Sequence, residues 1–268
     1  REMLKSLYFR NYLPCILLIA SLFSTNLFSQ TFEILQPEFS IPLLEKKPHI
    51  DGKISEEEWS DCFRSIGLMK NRDSLADREA IVWLGCDGEK FYLAVKSEVP
   101  AIGSILQRVK PAGNTDRAVH RDDSVEIWLA PSRNPARKNN KYYQIAINSL
   151  GALYDVCFDP DDKQLPQQPG WRVNLEQASS VDKESWQLEI AIPLSELELE
   201  EEDLLLPWKI RVARNWKQPG IQTELAARIG GFADLHTMTK INWVQEGVLL
   251  RMLSLRSSEN SVNVVMEA

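Results

Sequence analysis

Between residues 80 and 216, apolar residues recur at every second position in short runs, and turn residues cut each run within a few positions. A period of two sends successive side chains to opposite faces of an extended chain, the pattern of a strand buried on one face. The arms Ala80 to Cys86 and Lys90 to Lys96 flank Asp87-Gly88 and read as a hairpin. Strands are also expected at Ser124 to Leu129, Tyr142 to Asn148, Leu153 to Phe158, Trp171 to Ala178, Trp186 to Ile192 and Trp208 to Ala213. Phe39 to Leu44 reads as an extended entry segment. Ser55 followed by Glu58 has the form of a capping box and predicts a short helix leading to Trp59. With no sustained helical period, the chain predicts an all-β fold, an antiparallel β-sandwich of jelly-roll or immunoglobulin-like type with short helical turns.

The ends read differently. Lys5 and Arg10 precede the apolar run Leu13 to Phe23, and Leu27-Phe28-Ser29-Gln30 follows, so residues 1–29 have the form of a secretory signal peptide. The run is short for a membrane span. The sandwich is then expected over 30–246. Residues 247–268 hold two more strand patterns, read either as its final strands or as the start of a truncated second β-domain. A formal net charge of -7 and the lack of a basic run exclude a nucleic-acid partner. The expected location is secreted, periplasmic or cell-surface, with no membrane span after signal cleavage. Cys62, Cys86 and Cys157 would remain, and buried free thiols are favoured over a disulfide.

The segment Asp122-Asp123-Ser124-Val125-Glu126-Ile127-Trp128-Leu129-Ala130-Pro131 carries the chemistry. Alternation puts Glu126 on the face opposite Val125 and Ile127. A carboxylate there can accept hydrogen bonds from sugar hydroxyls, bind a cation, or pair with an arginine such as Arg214. Asp122 and Asp123 suit a turn into the strand or a calcium ion. The acidic run Glu196 to Asp203 reads as a solvated loop.

Four stretches in order resemble the family 9 carbohydrate-binding modules and the wider superfamily of DOMON-like β-sandwiches. They are Pro48-His49-Ile50-Asp51-Gly52-Lys53-Ile54 with Trp59 downstream, the hairpin Val82 to Val95, Asp122 to Leu129, and Trp186 to Leu194. The likeness covers about residues 45 to 245. It implies a site in which two aromatic rings clamp a sugar while a carboxylate and amide or arginine groups read its hydroxyls. Glu126 matches the carboxylate, His120 stands where the family has its first clamping tryptophan, Gln144 matches the polar residue of the next strand, and Phe232 matches the second ring. Trp216, expected in a loop from Asn215 to Gly220, is a further stacking candidate, as is Trp171. The resemblance also makes a structural calcium ion compatible, with no ligand assigned.

These readings together predict an exported, non-catalytic carbohydrate-binding module associated with polysaccharide degradation. Its partner would be an oligo- or polysaccharide, with further domains of a larger protein as neighbours. Three alternatives stay open: a structural or docking domain without a sugar site, part of a glycoside hydrolase, and a haem-binding relative using His120 and Met238. A hydrolase needs two carboxylates across a cleft, whereas Asp122, Asp123 and Glu126 all sit at one strand entry.

Overall fold

The computed structural model describes residues 37–70, 74–100, 104–111, 117–218, 220–225, 233–249, 251–258 and 261–267. The expected signal segment 1–29 lies outside these residues. The described strands are β1 (Glu38–Pro42), β2 (Phe63–Ile66), β3 (Met69–Lys70), β4 (Ser74–Leu75), β5 (Ala80–Cys86), β6 (Lys90–Glu98), β7 (Ser124–Pro131), β8 (Tyr142–Asn148) and β9 (Leu153–Phe158). They continue as β10 (Gln167–Gln168), β11 (Glu176–Val181), β12 (Ser185–Pro193), β13 (Trp208–Trp216), β14 (Ile221–Glu224), β15 (Thr239–Val244), β16 (Arg251–Ser258) and β17 (Ser261–Glu267). Among the described residues no helix reaches seven residues, too short to cover a sheet face, so the sheets must cover each other.

They do so as a sandwich. The first sheet runs β10-β9-β8-β7-β13-β14-β3-β4, with β15 pairing both β13 and β1. The second runs β11-β12-β6-β5-β2-β16-β17. Most pairs are antiparallel, as expected. Two are parallel, β1 with β15 and β2 with β16, so both sheets are mixed. Alternation decides what lies between the layers. Val125, Ile127, Leu129, Ile145, Ile147, Ile210 and Val212 from the first sheet meet Val82, Leu84, Leu93, Val95, Leu188 and Ile190 from the second. Phe91, Trp208 and Trp243 close one corner with ring centroids 5.7–6.2 Å apart.

The outer face of the second sheet is also covered. Trp59, Trp83, Tyr92, Ala94 and Ala191 form a smaller apolar cluster with Leu44 and Cys62. Glu189, fully buried, holds this cover down. One of its oxygens accepts from the backbone N–H groups of Asp51 (3.0 Å) and Gly52 (2.6 Å), and the other from the indole N–H of Trp59 (2.9 Å). The Ile54 N–H donates to Gln187 at 3.0 Å. The Ser55 cap forms, with the Glu58 N–H donating to Ser55 Oγ at 3.2 Å and the Trp59 N–H to the Ser55 carbonyl at 3.2 Å, but the segment after it is a hydrogen-bonded turn rather than the expected short helix. Gly52 has φ +85, and a Cβ there would lie 3.1 Å from the backbone nitrogen of Ser179. Gly52→Ala is expected to cost about 1–3 kcal/mol through the left-handed conformation alone, read as a lowered denaturant midpoint with an unchanged slope.

Several boundaries differ from the sequence reading. Trp171 to Leu175 is not a strand, because Val173 N–H donates to the Asp155 carboxylate (2.7 Å) and Asn174 N–H to Glu196 (3.2 Å) instead of to a neighbouring strand. The acidic run is partly folded in: Asp203 is buried and pairs closely with Arg137, and it accepts from Asn134 N–H at 2.8 Å. β16 and β17 form a hairpin that joins the second sheet beside β2, where Arg64 donates to the Met252 carbonyl. Cys62, Cys86 and Cys157 are free and buried. Burial pushes the Cys86 thiol up to about 12 and the Cys157 thiol to about 11, which makes both poor nucleophiles. Among the described residues no helix is long and apolar enough to cross a membrane.

Candidate functional site

The outer face of the first sheet carries Ser124, Glu126 and Trp128 from β7, by the same alternation that buries Val125, Ile127 and Leu129. Glu126 stands directly across from Ala146 on β8 and from Ala213 on β13. Two alanines leave space on either side of the carboxylate, so it is met by side chains from diagonal positions. Gln144 on β8 donates its amide to Oε1 at 2.6 Å, and Asn215 on β13 donates to Oε2 at 3.1 Å. The indole N–H of Trp128 donates to Oε1 at 2.9 Å. Glu126 is only 5% exposed and is held by three side-chain donors, so its direction is fixed. Oε2, with one donor in place, retains acceptor capacity for a ligand hydroxyl.

Aromatic groups flank this carboxylate. Tyr154 stands across from Ala146 on β9, and the His120 ring meets it edge-on with centroids 4.3 Å apart. His120 sits on the 3-10 turn Arg117–Arg121, whose Val119 packs into Ala146, Ala152, Tyr154 and Val156. Burial lowers the His120 pKa, and the nearby Glu126 charge opposes that shift. On the other side, Trp128 stacks on Phe158 at 5.4 Å and on Tyr142 at 6.2 Å. Arg211, across from Trp128, donates to the Thr237 hydroxyl at 2.7 Å and so ties the turn Leu235–Thr237 to this face.

Asp122 and Asp123 build the wall that bears His120. Asp122 Oδ2 accepts from Arg108 N–H and Val109 N–H, both at 2.8 Å, and from the Asn148 amide at 2.9 Å. Asp123 accepts from Leu106 N–H at 2.7 Å and from Lys217 N–H at 2.6 Å. Burial raises the Asp123 pKa against these donors. Both carboxylates thus serve loop architecture, the turn-forming role of Asx residues. Among the described residues no three His, Cys, Asp or Glu side chains gather to hold a metal ion.

The structure therefore brings His120, Glu126 and Gln144 together. Phe232 lies outside the described residues. Trp216 is corrected: it is the last residue of β13 rather than a loop residue, and it is 3% exposed. Its parity with Ile210 and Val212 turns the ring into the space between the sheets, where it meets Trp186 at 6.1 Å. Trp171 likewise packs on Tyr143, at 4.8 Å. Arg214 shares the inward parity of Trp216 and cannot pair with Glu126. Its guanidinium donates to Ser97 Oγ at 2.7 Å and to the carbonyls of Glu79 and Arg78, and it lies 5.2 Å from the Trp216 ring. Burial there lowers its pKa to about 10. Asn215, Tyr154 and Arg211 escape the sequence reading. Extending the β13 alternation by three residues would have placed Asn215 outward and Trp216 inward.

A separate depression of about 460 Å³ lies beyond the far end of β7, lined by Arg133, Asn134, Lys138, Asn139, Asn140 and Asp161. Its amides are already committed, Asn134 to Glu202, Asn139 to Glu198 and Asn140 to Asp161. We therefore place the candidate site at Glu126.

No family model matches the chain, and no curated protein matches it. Among solved structures, a proposed carbohydrate-binding protein from Bacteroides uniformis aligns over 78% of this chain and 100% of its own, at 14% identity and a TM-score of 0.57. Two family 9 carbohydrate-binding modules from Caldicellulosiruptor kristjanssonii, one with cellotriose and one with glucose, align over 78% of this chain. They are covered over 95% and 97% of their own lengths, at 13% and 12% identity and TM-scores of 0.48 and 0.49. The likeness to the B. uniformis structure shows a shared fold.

Proposed function

We propose that this chain is an exported, non-catalytic carbohydrate-binding module that serves polysaccharide degradation. The observation that carries the reading is the Glu126 carboxylate, fixed on an outer sheet face by Trp128, Gln144 and Asn215. A preoriented acceptor of this kind discriminates hydroxyl positions at little ordering cost. A sugar hydroxyl would donate to Glu126 Oε2 while the Gln144 carbonyl oxygen accepts a second. The His120 and Tyr154 rings supply an apolar flank for a pyranose face, and Phe232 is the candidate for the opposing ring. The shared fold and the four sequence stretches support the same reading, although fold by itself does not fix function.

Calorimetry with soluble oligosaccharides tests it. Wild-type protein should bind at least one ligand with a micromolar to millimolar Kd. Glu126→Ala, checked for folding by its melting curve, should weaken that binding about 10- to 100-fold, the worth of a hydrogen bond to a charged group. No binding to any neutral or charged oligosaccharide at millimolar concentration would sink the reading, as would hydrolysis of the ligand by the wild-type protein.

A further inference from the structure

Charge is unevenly spread around this site. The chain as a whole is acidic, with a formal net charge of -7. Yet the wall of residues 104–111 and 117–121, with the end of β13, exposes Arg108, Lys110, Arg117, Arg121 and Lys217. Those stretches hold no acid, and the acids that follow them at Asp122, Asp123 and Glu126 are all buried. Asp122 and Asp123 accept from backbone donors, and Asp122 also from the Asn148 amide, while Glu126 accepts from three side-chain donors. Among the described residues the solvent-facing charge of this wall is therefore positive.

Two of the cations are well placed. Arg117 opens the turn that carries His120, and Lys217 follows Asn215 by two residues, its backbone pinned to Asp123 at 2.6 Å. Both act electrostatically on the His120 ring. Arg108 lies 3.8 Å from the buried Asp122 oxygen and is partly neutralised by it. We infer that the site selects a sugar bearing an anionic group, a carboxylate or a sulfate, which Arg117 and Lys217 meet while Glu126 and Gln144 read the hydroxyls. This rests on the sugar-binding reading above and narrows its ligand. A ring as small and polar as imidazole at position 120 also suits a charged ligand better than a bare glucan face, where stacking on a large apolar surface matters most.

The test is calorimetry at about 0.05 M and 0.5 M NaCl with an oligogalacturonate, a heparin-derived oligosaccharide and cellopentaose. Wild-type protein should favour an anionic ligand over cellopentaose by about tenfold or more at low salt. That preference should shrink at high salt, as screening shortens the reach of exposed charges from ~13 Å to ~4 Å. Arg117→Glu with Lys217→Glu should remove the preference, lowering the affinity for the anionic ligand at least tenfold more than the affinity for cellopentaose. Binding of the oligogalacturonate shows that a carboxylate suffices, whereas binding of the heparin-derived oligosaccharide alone, which carries both groups, shows that sulfate is required. Equal affinities that ignore both salt and the double variant overturn the charge inference and leave sugar binding standing. Anionic binding that survives Glu126→Ala overturns it too, because the ligand then sits elsewhere. Silence in every arm removes both readings.

Discussion

Glu189→Ala should cost about 3–5 kcal/mol of folding free energy, a large share of the 5–15 kcal/mol that holds a typical domain together. The reason is the number of donors it leaves behind. Asp51 N–H, Gly52 N–H and the Trp59 indole N–H all end on this one buried carboxylate. An orphaned buried donor costs about 1–3 kcal/mol, and part of that is recovered where the Asp51 end can reach water. The cover over Trp83, Tyr92 and Ala94 would then detach, so the variant should melt early and lose tryptophan burial in the same transition. Loss of less than about 1 kcal/mol would show that Ile50, Ile54 and Trp59 hold the cover by packing alone.

The same group gives a pH signature. Burial raises the Glu189 pKa above its ordinary value, outweighing the three donors. A carboxyl whose pKa is raised on folding contributes stability that is fully present below its unfolded pKa and lost as pH rises through the folded value. Other groups titrate alike in wild-type and Glu189→Ala proteins and cancel in the difference. The stability gap between the two should therefore be widest near pH 4 and narrow towards pH 7. A gap that widens with rising pH would mean that the donors outweigh desolvation.

Much of this architecture is legible in the chain because a half-buried strand must alternate. β5, β6, β7, β8, β9 and β12 fall where that alternation puts them, and Glu126 faces outward for the same reason. Failures occur where a long-range partner overrides the local pattern. Arg214-Asn215 looks like the polar end of a strand, yet Arg214 is buried because Ser97 on the opposite sheet and two carbonyls of the loop before β5 hold its guanidinium. That misplacement turned Trp216 into a loop residue and hid Asn215. The parallel pairing of β1 with β15 joins residues some two hundred positions apart, which no window along the chain can register. The aspartates of the Asp122-Asp123 pair were readable as turn formers. Their actual donors, Leu106, Arg108, Val109 and Lys217, depend on how distant loops close.

Asp122→Ala is the second large effect, and it links that loop architecture to the site. The substitution strands Arg108 N–H, Val109 N–H and the Asn148 amide, which together should cost about 2–4 kcal/mol. Asn148 also donates to the Val109 carbonyl at 2.8 Å and accepts from Ala152 N–H at 2.8 Å. One lost carboxylate thus loosens both the 104–111 wall and the β8–β9 turn beneath the Arg117–Arg121 segment. Hydrogen exchange should accelerate first at Arg108 and Val109, ahead of the β5–β6 core. Sugar affinity should fall although Asp122 touches no ligand, because the His120 ring and the Arg117 charge lose their fixed position. Asp122→Asn separates shape from charge. Among the described residues the Oδ1 oxygen of Asp122 accepts no hydrogen bond, so an asparagine can keep its carbonyl oxygen on the three donors, at the cost of a buried amide N–H group that faces Arg108 and finds no acceptor. It should recover part of the stability and of the affinity that Asp122→Ala loses, the shortfall being the orphaned amide donor. If Asp122→Asn proves as damaging as Asp122→Ala, the negative charge itself, acting on Arg108 3.8 Å away, is what holds the wall.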